Sequence, residues 1–558
     1  MTTLKSFEPI GWWHSGDSPP EPLASALQRT LLNVSRPVYV VESPDGLCVS
    51  QSGTAVLGGK DQAGGDRLPL RAYAPPLPPE ALGETAFKAK HGLRYAYVAG
   101  EMANGITSVR MVTAVGQAGM VGFFGAAGLM PAEVETALSR LQSELPGLPF
   151  GVNLIHSPGN LELEAALAEL FLRREVRLVS ASAYVDLTHP LVHYRVKGIH
   201  RDTDGCIVCP NRVAAKVSRV EVARKFLAPP PEKILGHLVG RGLITAEEAA
   251  LAAAVPMADD VTAEADSGGH TDNRPAITLL PTMLALRNEM SAAHAYLHPP
   301  CVGLGGGIAT PEATAAAFAM GAAYVVTGSI NQSCVEAGTS PAVGAMLAEA
   351  GQADVTMAPA ADMFELGVKV QVLKRGTMFP HRAAKLYELY TTHDRFDQLP
   401  ARQREIVEKD FLKCSFDEEW EQTKRFFRAR DPKQIERAEK DPKHRMALVF
   451  RSYLGRSSTW AITGEPSRRM DYQIWCGPAM GAFNQWVKGS FLEKPENRRT
   501  VTVGMNLLFG AAVATRAAWL RAQGAPVPGG AGSITPMELP EIMRLTGGAA
   551  AVEEPSSS

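Results

Sequence analysis

The chain has 558 residues, long enough for two or three structural units around large cores. Its 56 Lys and Arg nearly balance 58 Asp and Glu, which leaves no basic excess for nucleic acid and no acidic block typical of disordered tails. Seven scattered cysteines, an odd number, fit a reducing compartment better than a disulfide framework, so a cytoplasmic protein is expected.

Met1 to Trp13 lacks a basic region followed by a long apolar core, so no secretory signal is expected there. Residues 1–85 read as an irregular N-terminal extension. It holds one hairpin, Arg36 to Val41 and Leu47 to Val49 about a Pro44-Asp45-Gly46 turn, and closes on a proline-rich linker, Pro75 to Pro79. Residues 86–360 change character. Short apolar runs recur at Tyr95–Val98, Val121–Phe124, Phe150–Ile155, Val176–Val179, Val213–Val217, Val261–Ala265, Cys301–Leu304 and Tyr324–Val326. Helical patterns separate most of them. Pro131 suits a first helical turn before Val134, Leu138, Leu141 and Leu145, and Thr310 caps a helix opened by Pro311 and Glu312. Eight strand–helix units predict an α/β protein built on a (β/α)8 TIM barrel, with a doubly wound sheet as the alternative.

Residues 361–525 lose the strand signal and carry helical stripes, Phe416, Trp420, Thr423 and Phe427 on one, Ala383, Leu386, Tyr387 and Tyr390 on another. An appended α-helical C-terminal domain is expected, followed by a tail, 526–558, with Gly547 to Ser558 disordered. Val501 to Thr515 is apolar but short for a bilayer and interrupted by Asn506, so it reads as a buried helix.

The chemistry gathers at three predicted strand ends. Asp266-Ser267-Gly268-Gly269-His270-Thr271 follows the sixth strand, where Gly268 and Gly269 leave room for a flat ring and His270 is the candidate catalytic imidazole. Asp266 or Asp272 could orient it; His156 is a weaker candidate. Gly303-Leu304-Gly305-Gly306-Gly307 lacks the third glycine spacing of a dinucleotide fingerprint. Backbone N–H groups of Gly306 and Gly307, with Gly328 and Ser329 one strand later, instead suit a single phosphate, and loops after strands seven and eight are where such barrels bind one. Asn153 offers a donor and an acceptor to a heterocycle edge. Lys216 is either a cation able to stabilise an anionic reduced flavin or a lysine whose head snorkels to solvent. Cys206 and Cys209 form a lone C-x-x-C without a second pair, so no metal site is expected.

Over residues 92–335 the three motifs, with Ala103-Asn104-Gly105-Ile106 and Phe150-Gly151-Val152-Asn153, resemble the FMN-dependent enoyl-acyl-carrier-protein reductase and nitronate monooxygenase superfamily. A closer resemblance runs nearly the whole length. Gly122–Ala126, Ala265–Asp272, Val368–Gly376 and Met470–Pro478 look like the PfaD-type trans-acting enoyl reductases of polyunsaturated-fatty-acid and polyketide synthases. That resemblance implies an oxidoreductase in which NADPH reduces FMN and the hydride passes to the β-carbon of an enoyl thioester on an acyl carrier protein. It implies FMN held by Gly100, Asn153, Gly306, Gly307, Gly328 and Ser329, with Gly269 and His270 beside the ring. A nitronate monooxygenase and a non-catalytic flavin-binding synthase subunit are the alternatives. A carrier dock is expected among Lys369, Lys374, Arg375, His381, Arg382, Arg468, Arg469, Arg498 and Arg499. No nucleic-acid or membrane partner is expected, and a homodimer is left open.

Overall fold

A computed structural model describes residues 8–58, 67–156 and 161–547. The first unit is more regular than the sequence suggests. Strands β1 (Gly11–His14), β2 (Glu21–Pro22), β3 (Val38–Ser43), β4 (Gly46–Ser50), β5 (Thr54–Leu57) and β6 (Arg67–Ala74) form a six-stranded sheet in the order β2-β4-β3-β6-β1-β5. The predicted hairpin is β3–β4, with Gly46 at φ +118° in its turn. The irregular extension is therefore corrected to a sheet whose other strands pair across long sequence separations, which no local pattern announces.

All eight predicted barrel strands are present: β7 (Tyr97–Ala99), β8 (Val121–Phe124), β9 (Gly151–Ile155), β10 (Leu178–Ser182), then, beyond a small hairpin of β11 (His200–Arg201) and β12 (Ile207–Val208), β13 (Arg212–Val217), β14 (Asp260–Glu264), β15 (Cys301–Gly305) and β16 (Val325–Thr327). They close as a parallel barrel, β16 pairing back onto β7. Capping follows the expected chemistry: the Thr310 hydroxyl accepts from Ala313 N–H at 3.2 Å, and Val134, Leu138 and Leu141 are buried on the helix that Pro131 opens.

One end of the barrel is plugged. The helix Thr85–His91 stacks Phe87 on Tyr324 at 4.1 Å and sets Lys90 Nζ and His91 Nε2 at 2.9 and 2.7 Å from Asp260 at the start of β14. Burial would raise this carboxyl, but its contacts with Lys90 and His91 outweigh that and hold Asp260 down to about 2. The strand C-termini form the remaining, chemically available mouth.

After β16 the chain leaves the barrel. Strands β17 (Val355–Pro359) and β18 (Lys369–Leu373) pair antiparallel, and helices Phe379–Thr392, Phe416–Arg430, Pro432–Lys440 and Pro442–Thr463 follow. This helical domain has its own apolar core, with Phe364, Val372, Phe379, Leu386, Phe450 and Leu454 all fully buried. The helix Thr500–Ala522 then returns to the barrel, packing on the helices Pro311–Ala319 and Val109–Gln117. It fills the place of the eighth barrel helix, so the expected boundary at 525 moves back before Thr500. Among the described residues this is the one helix long and apolar enough to cross a bilayer, yet most of it is buried inside the fold. The expected tail is corrected too: Trp486 Nε1 donates to Ile534 O at 3.1 Å, and helix Leu539–Leu545 buries Leu539, Ile542 and Met543. These apolar side chains gain more from the barrel surface than from water. The expectation of disorder from Gly547 onward falls outside the described residues, Gly547 itself excepted.

Close approach of the returning helix depends on glycine: a Cβ on Gly510 would lie 2.6 Å from Pro311 Cγ. Gly510→Val should therefore lower stability by about 1–3 kcal/mol or more through overpacking, read as a fall in thermal midpoint. An unchanged midpoint would show that this helix does not close the barrel tightly.

Candidate functional site

The mouth brings together every site residue that the sequence singles out. Gly100, just past β7, donates its N–H to Thr327 O at 2.9 Å, and a Cβ there would press Val326 at 2.8 Å. Its role is to let β7 and β16 end side by side. Asn153, on β9, is buried and uses its amide N–H groups on Ser180 O (3.2 Å) and Ser182 Oγ (2.7 Å). Only its carbonyl oxygen is left for a ligand, so the expected donor-plus-acceptor role narrows to acceptor.

The glycine run after β15 divides in two. A Cβ on Gly303 would strike the Tyr324 ring at 2.3 Å, so that glycine serves packing. Gly306 (φ +88°) and Gly307 (φ +77°) turn the chain at the mouth. Among the described residues the N–H groups of Gly306, Gly307 and Gly328 meet no hydrogen-bond acceptor, and a Cβ built on Gly307 or Gly328 would find nothing within 4 Å. Ser329 Oγ accepts from Gly477 N–H at 3.0 Å and keeps its own proton to donate. Unpaired N–H groups beside open space fit a phosphate, and with the Asn153 acceptor they fit FMN.

Lys216 is not the free cation expected. Its Nζ lies 3.1 Å from Glu101 and 3.3 Å from Glu264. Burial alone would lower its pKa, but the two carboxylates more than reverse this and keep it charged. The trio carries a net negative charge, so in this arrangement Lys216 cannot by itself offset an anionic flavin. It holds β7, β13 and β14 together at the mouth.

His270 finds a partner that the sequence did not suggest. Its Nε2 lies 3.1 Å from Asp362 Oδ2, from the loop between β17 and β18 of the helical domain. Neither expected carboxylate orients it. Asp272 is held by Ser218 and Arg219, and Asp266 accepts from Asn273 Nδ2 and Gln371 Nε2, each at 2.8 Å. Burial would lower the pKa of His270, yet Asp362 overrides it and the net direction is upward; Asp362 in turn is lowered by the imidazole despite its own burial cost. His156 is occupied elsewhere, 3.1 Å from Glu164 and stacked on Tyr184.

The room expected at Gly268 is filled by protein. A Cβ on Gly268 would lie 2.8 Å from Cys476 N, and one on Gly477 would lie 2.9 Å from Gly268 N. Gly269 (φ +82°) exchanges both main-chain hydrogen bonds with Gln371, at 2.9 and 2.7 Å, and has Trp475 beside it. The strand-six turn is thus where the helical domain is fastened to the mouth, not an open seat for a ring.

The expected basic dock disperses. Arg382 and Arg468 both bind Asp471 inside the helical domain, and Arg498 is 1% exposed, donating to Leu492 O, Ser333 Oγ and Asn484 Oδ1. Burial lowers the Arg498 guanidinium to about 10. Lys369, Lys374, Arg375, His381 and Arg469 are exposed.

Compared with known protein families, residues 84–395, more than half of the chain, match a profile described as nitronate monooxygenase. A second profile, the inserted helical domain of acyl-carrier-protein S-malonyltransferase, matches residues 393–472, inside the domain above the mouth. The chain belongs to the nitronate monooxygenase family. It is also similar to the enoyl reductase domain of MlnA from the macrolactin cluster of Bacillus amyloliquefaciens, 39% identical, with a TM-score of 0.74 over 80% of this chain and 99% of that one. Among sequence relatives, the polyketide biosynthesis protein PksE of Bacillus subtilis is 48% identical over 78% of this chain and 56% of its own length. A polyunsaturated fatty acid synthase subunit of a Thraustochytrium species is 46% identical over 79% of this chain but 30% of its own length. The chain thus spans a little over half of the first of these relatives and less than a third of the second. The resemblance to trans-acting enoyl reductases read from the motifs is borne out at the level of family.

Two outcomes test the site. Gly328→Ala adds a Cβ that meets no atom within 4 Å, so the protein should fold with little change in thermal midpoint, while added flavin phosphate should bind at least about tenfold more weakly; undiminished binding would move the phosphate elsewhere. Asp362→Asn should lower the pKa of His270, followed by NMR of the imidazole. The sign for stability follows from both shifts. The raised His270 favours folding below about pH 6.5 and loses that effect as pH rises through its folded value; the lowered Asp362 favours folding above about pH 4 and loses it in acid. The pair therefore supports the fold fully between those limits and progressively less beyond them, so the variant should lose most stability in that window.

Proposed function

We propose that the chain is an FMN-dependent enoyl reductase that draws on NADPH and saturates the double bond of an enoyl thioester carried by an acyl carrier protein. The observation that carries this reading is His270, paired with the Asp362 carboxylate of the helical domain at 3.1 Å, beside glycine turns suited to one phosphate. Sequence relatives named for polyunsaturated-fatty-acid and polyketide biosynthesis, and a solved enoyl reductase domain, support it. So does the match of the helical domain to a module of an enzyme that acts on acyl carrier proteins.

Gly306, Gly307, Gly328 and Ser329 would hold the phosphate of FMN, and the Asn153 carbonyl would accept from the N–H of its ring. FMN, when bound, supplies hydride transfer to the β-carbon. Hydride arrival builds negative charge on the thioester oxygen and α-carbon. His270 then donates a hydrogen bond to the oxygen or its proton to the α-carbon, and Asp362 orients the imidazole and favours its protonated form. The products are a saturated thioester and oxidised NADP. The fastened helical domain roofs the mouth, which suits a tethered acyl chain better than a small nitronate.

The test is anaerobic. Protein reconstituted with FMN should bleach with NADPH and recover its colour on mixing with an enoyl thioester. His270→Ala should keep FMN and slow that recovery by roughly 10²-fold or more, the scale expected of a positioned acid. Oxygen uptake with alkyl nitronates and no reaction with enoyl thioesters would select nitronate oxidation instead. Bound FMN that NADPH never bleaches would select a non-catalytic role.

A further inference from the structure

The junction of helices Phe416–Arg430 and Pro432–Lys440, here called the tip, carries a surface that neither the mouth nor the domain core uses. Between Arg425 and Lys433 the sequence places four cations, Arg425, Arg428, Arg430 and Lys433, against the single carboxylate of Asp431. All four are exposed, and among the described residues none forms an ion pair. Neighbouring cations of the same domain are paired: Lys424 with Glu421, Arg445 with Asp417, and Arg456 with the buried Glu419. In the middle of the unpaired set stands Phe426, 49% exposed, with the Arg430 guanidinium 4.2 Å from its ring centroid and Phe427 edge-on at 5.2 Å. An exposed aromatic with a guanidinium over its ring and further exposed cations beside it in the chain is costly to leave in water and offers an anchor with a positive rim.

The surface is mechanically connected to the mouth. Helix Pro432–Lys440, which carries Lys433, sends Gln434 to His444 Nε2 at 2.9 Å. His444 faces Glu365 at 3.8 Å, and Glu365 also binds Arg451, whose Nε donates to Ala361 O at 2.8 Å. Ala361 precedes Asp362, the partner of His270. The patch, the domain core and the carboxylate at the mouth thus lie on one packed unit.

We infer that Phe426 and the cations Arg425, Arg428, Arg430 and Lys433 are the docking surface for the acidic carrier domain that presents the thioester, in place of the Lys374–Arg375 turn. Arg375 already faces Glu349 and Asp354, at 3.7 and 3.8 Å, whereas the tip cations form no ion pair among the described residues, so complementarity with an acidic partner is available at the tip. The assignment rests on the proposed enoyl reduction for the identity of the partner.

The test uses the full chain and a purified acyl carrier domain of a polyketide or polyunsaturated-fatty-acid synthase, labelled with a fluorophore on its phosphopantetheine arm. Anisotropy should report binding that weakens with added salt. The double reversal Arg425→Glu and Arg428→Glu should weaken it at least tenfold, Phe426→Ala should also weaken it, and Lys374→Glu with Arg375→Glu should leave it within twofold. With a free enoyl thioester the tip variants should turn over like the parent protein, which also shows that they fold. Carrier binding that is absent, or that survives the tip reversals, or that is lost instead at Lys374 and Arg375, overturns the dock. A parent protein that binds carrier but reduces no thioester, free or carried, leaves the dock standing and overturns the proposed reaction, so the two failures are told apart.

Discussion

The exchange of main-chain hydrogen bonds between Gly269 and Gln371 is the joint on which the mouth is built. It fastens the turn after β14 to β18, and the Gln371 side chain reinforces it by donating to Asp266 Oδ1 and Ser267 O, at 2.8 and 2.7 Å. A second contact locks it from the other side, where Gly268 and Gly477 approach so closely that neither tolerates a Cβ. Two segments far apart in sequence, Lys369–Leu373 and Trp475–Gly477, therefore converge on the residues that precede His270. With that joint made, Asp362 is delivered to the imidazole; without it, the histidine would face only water and the Glu264 cluster.

The path of the chain explains why the joint is stiff. A free-standing domain appended after the barrel would be tied at one end. Here the chain departs after β16 and comes back as Thr500–Ala522 to supply the helix that completes the barrel. The helical domain is tied at both ends and has a core of its own, distinct from that of the barrel. Buried arginines reinforce the return: Arg498 bridges the turns near Leu492 to Ser333, and Arg516 donates to Leu31 O and Asn33 O of the N-terminal unit. A guanidinium buried without a carboxylate is tolerated only because several carbonyls accept its N–H hydrogen bonds. These cations look like surface charge in the sequence and act as internal braces in the fold.

Electrostatics at the mouth follows the same division between what is paired and what is left open. Lys216 is neutralised by Glu101 and Glu264, so the barrel itself offers a slightly negative floor. The tendency of His270 to take up a proton is raised by a carboxylate of the helical domain. Chemistry and domain arrangement are in this way coupled by one hydrogen bond.

The sequence by itself determined the barrel. Eight β-branched or small-residue runs alternating with helical patterns, with Pro131 and Thr310 at helix starts, are local signals, and each strand appeared where they fell. It also determined which turns face the mouth, because a glycine at positive φ such as Gly306 or Gly307 is demanded by the backbone itself. The β17–β18 hairpin overturns the expectation that the strand signal ends at 361, because the alternation of Val368, Val370 and Val372 is too short to stand out before the helical pattern that follows. Only the tertiary structure decided the partner of His270, since Asp362 is 92 residues away and nothing in its neighbourhood marks it. It alone decided that Lys216 is compensated, that Gly268 receives a backbone, and that Thr500–Ala522 belongs to the barrel. The physical reason is common to all four: periodicity and turn chemistry are set by neighbours along the chain, whereas charge pairing and close approach are set by whichever distant segments the packing brings into contact.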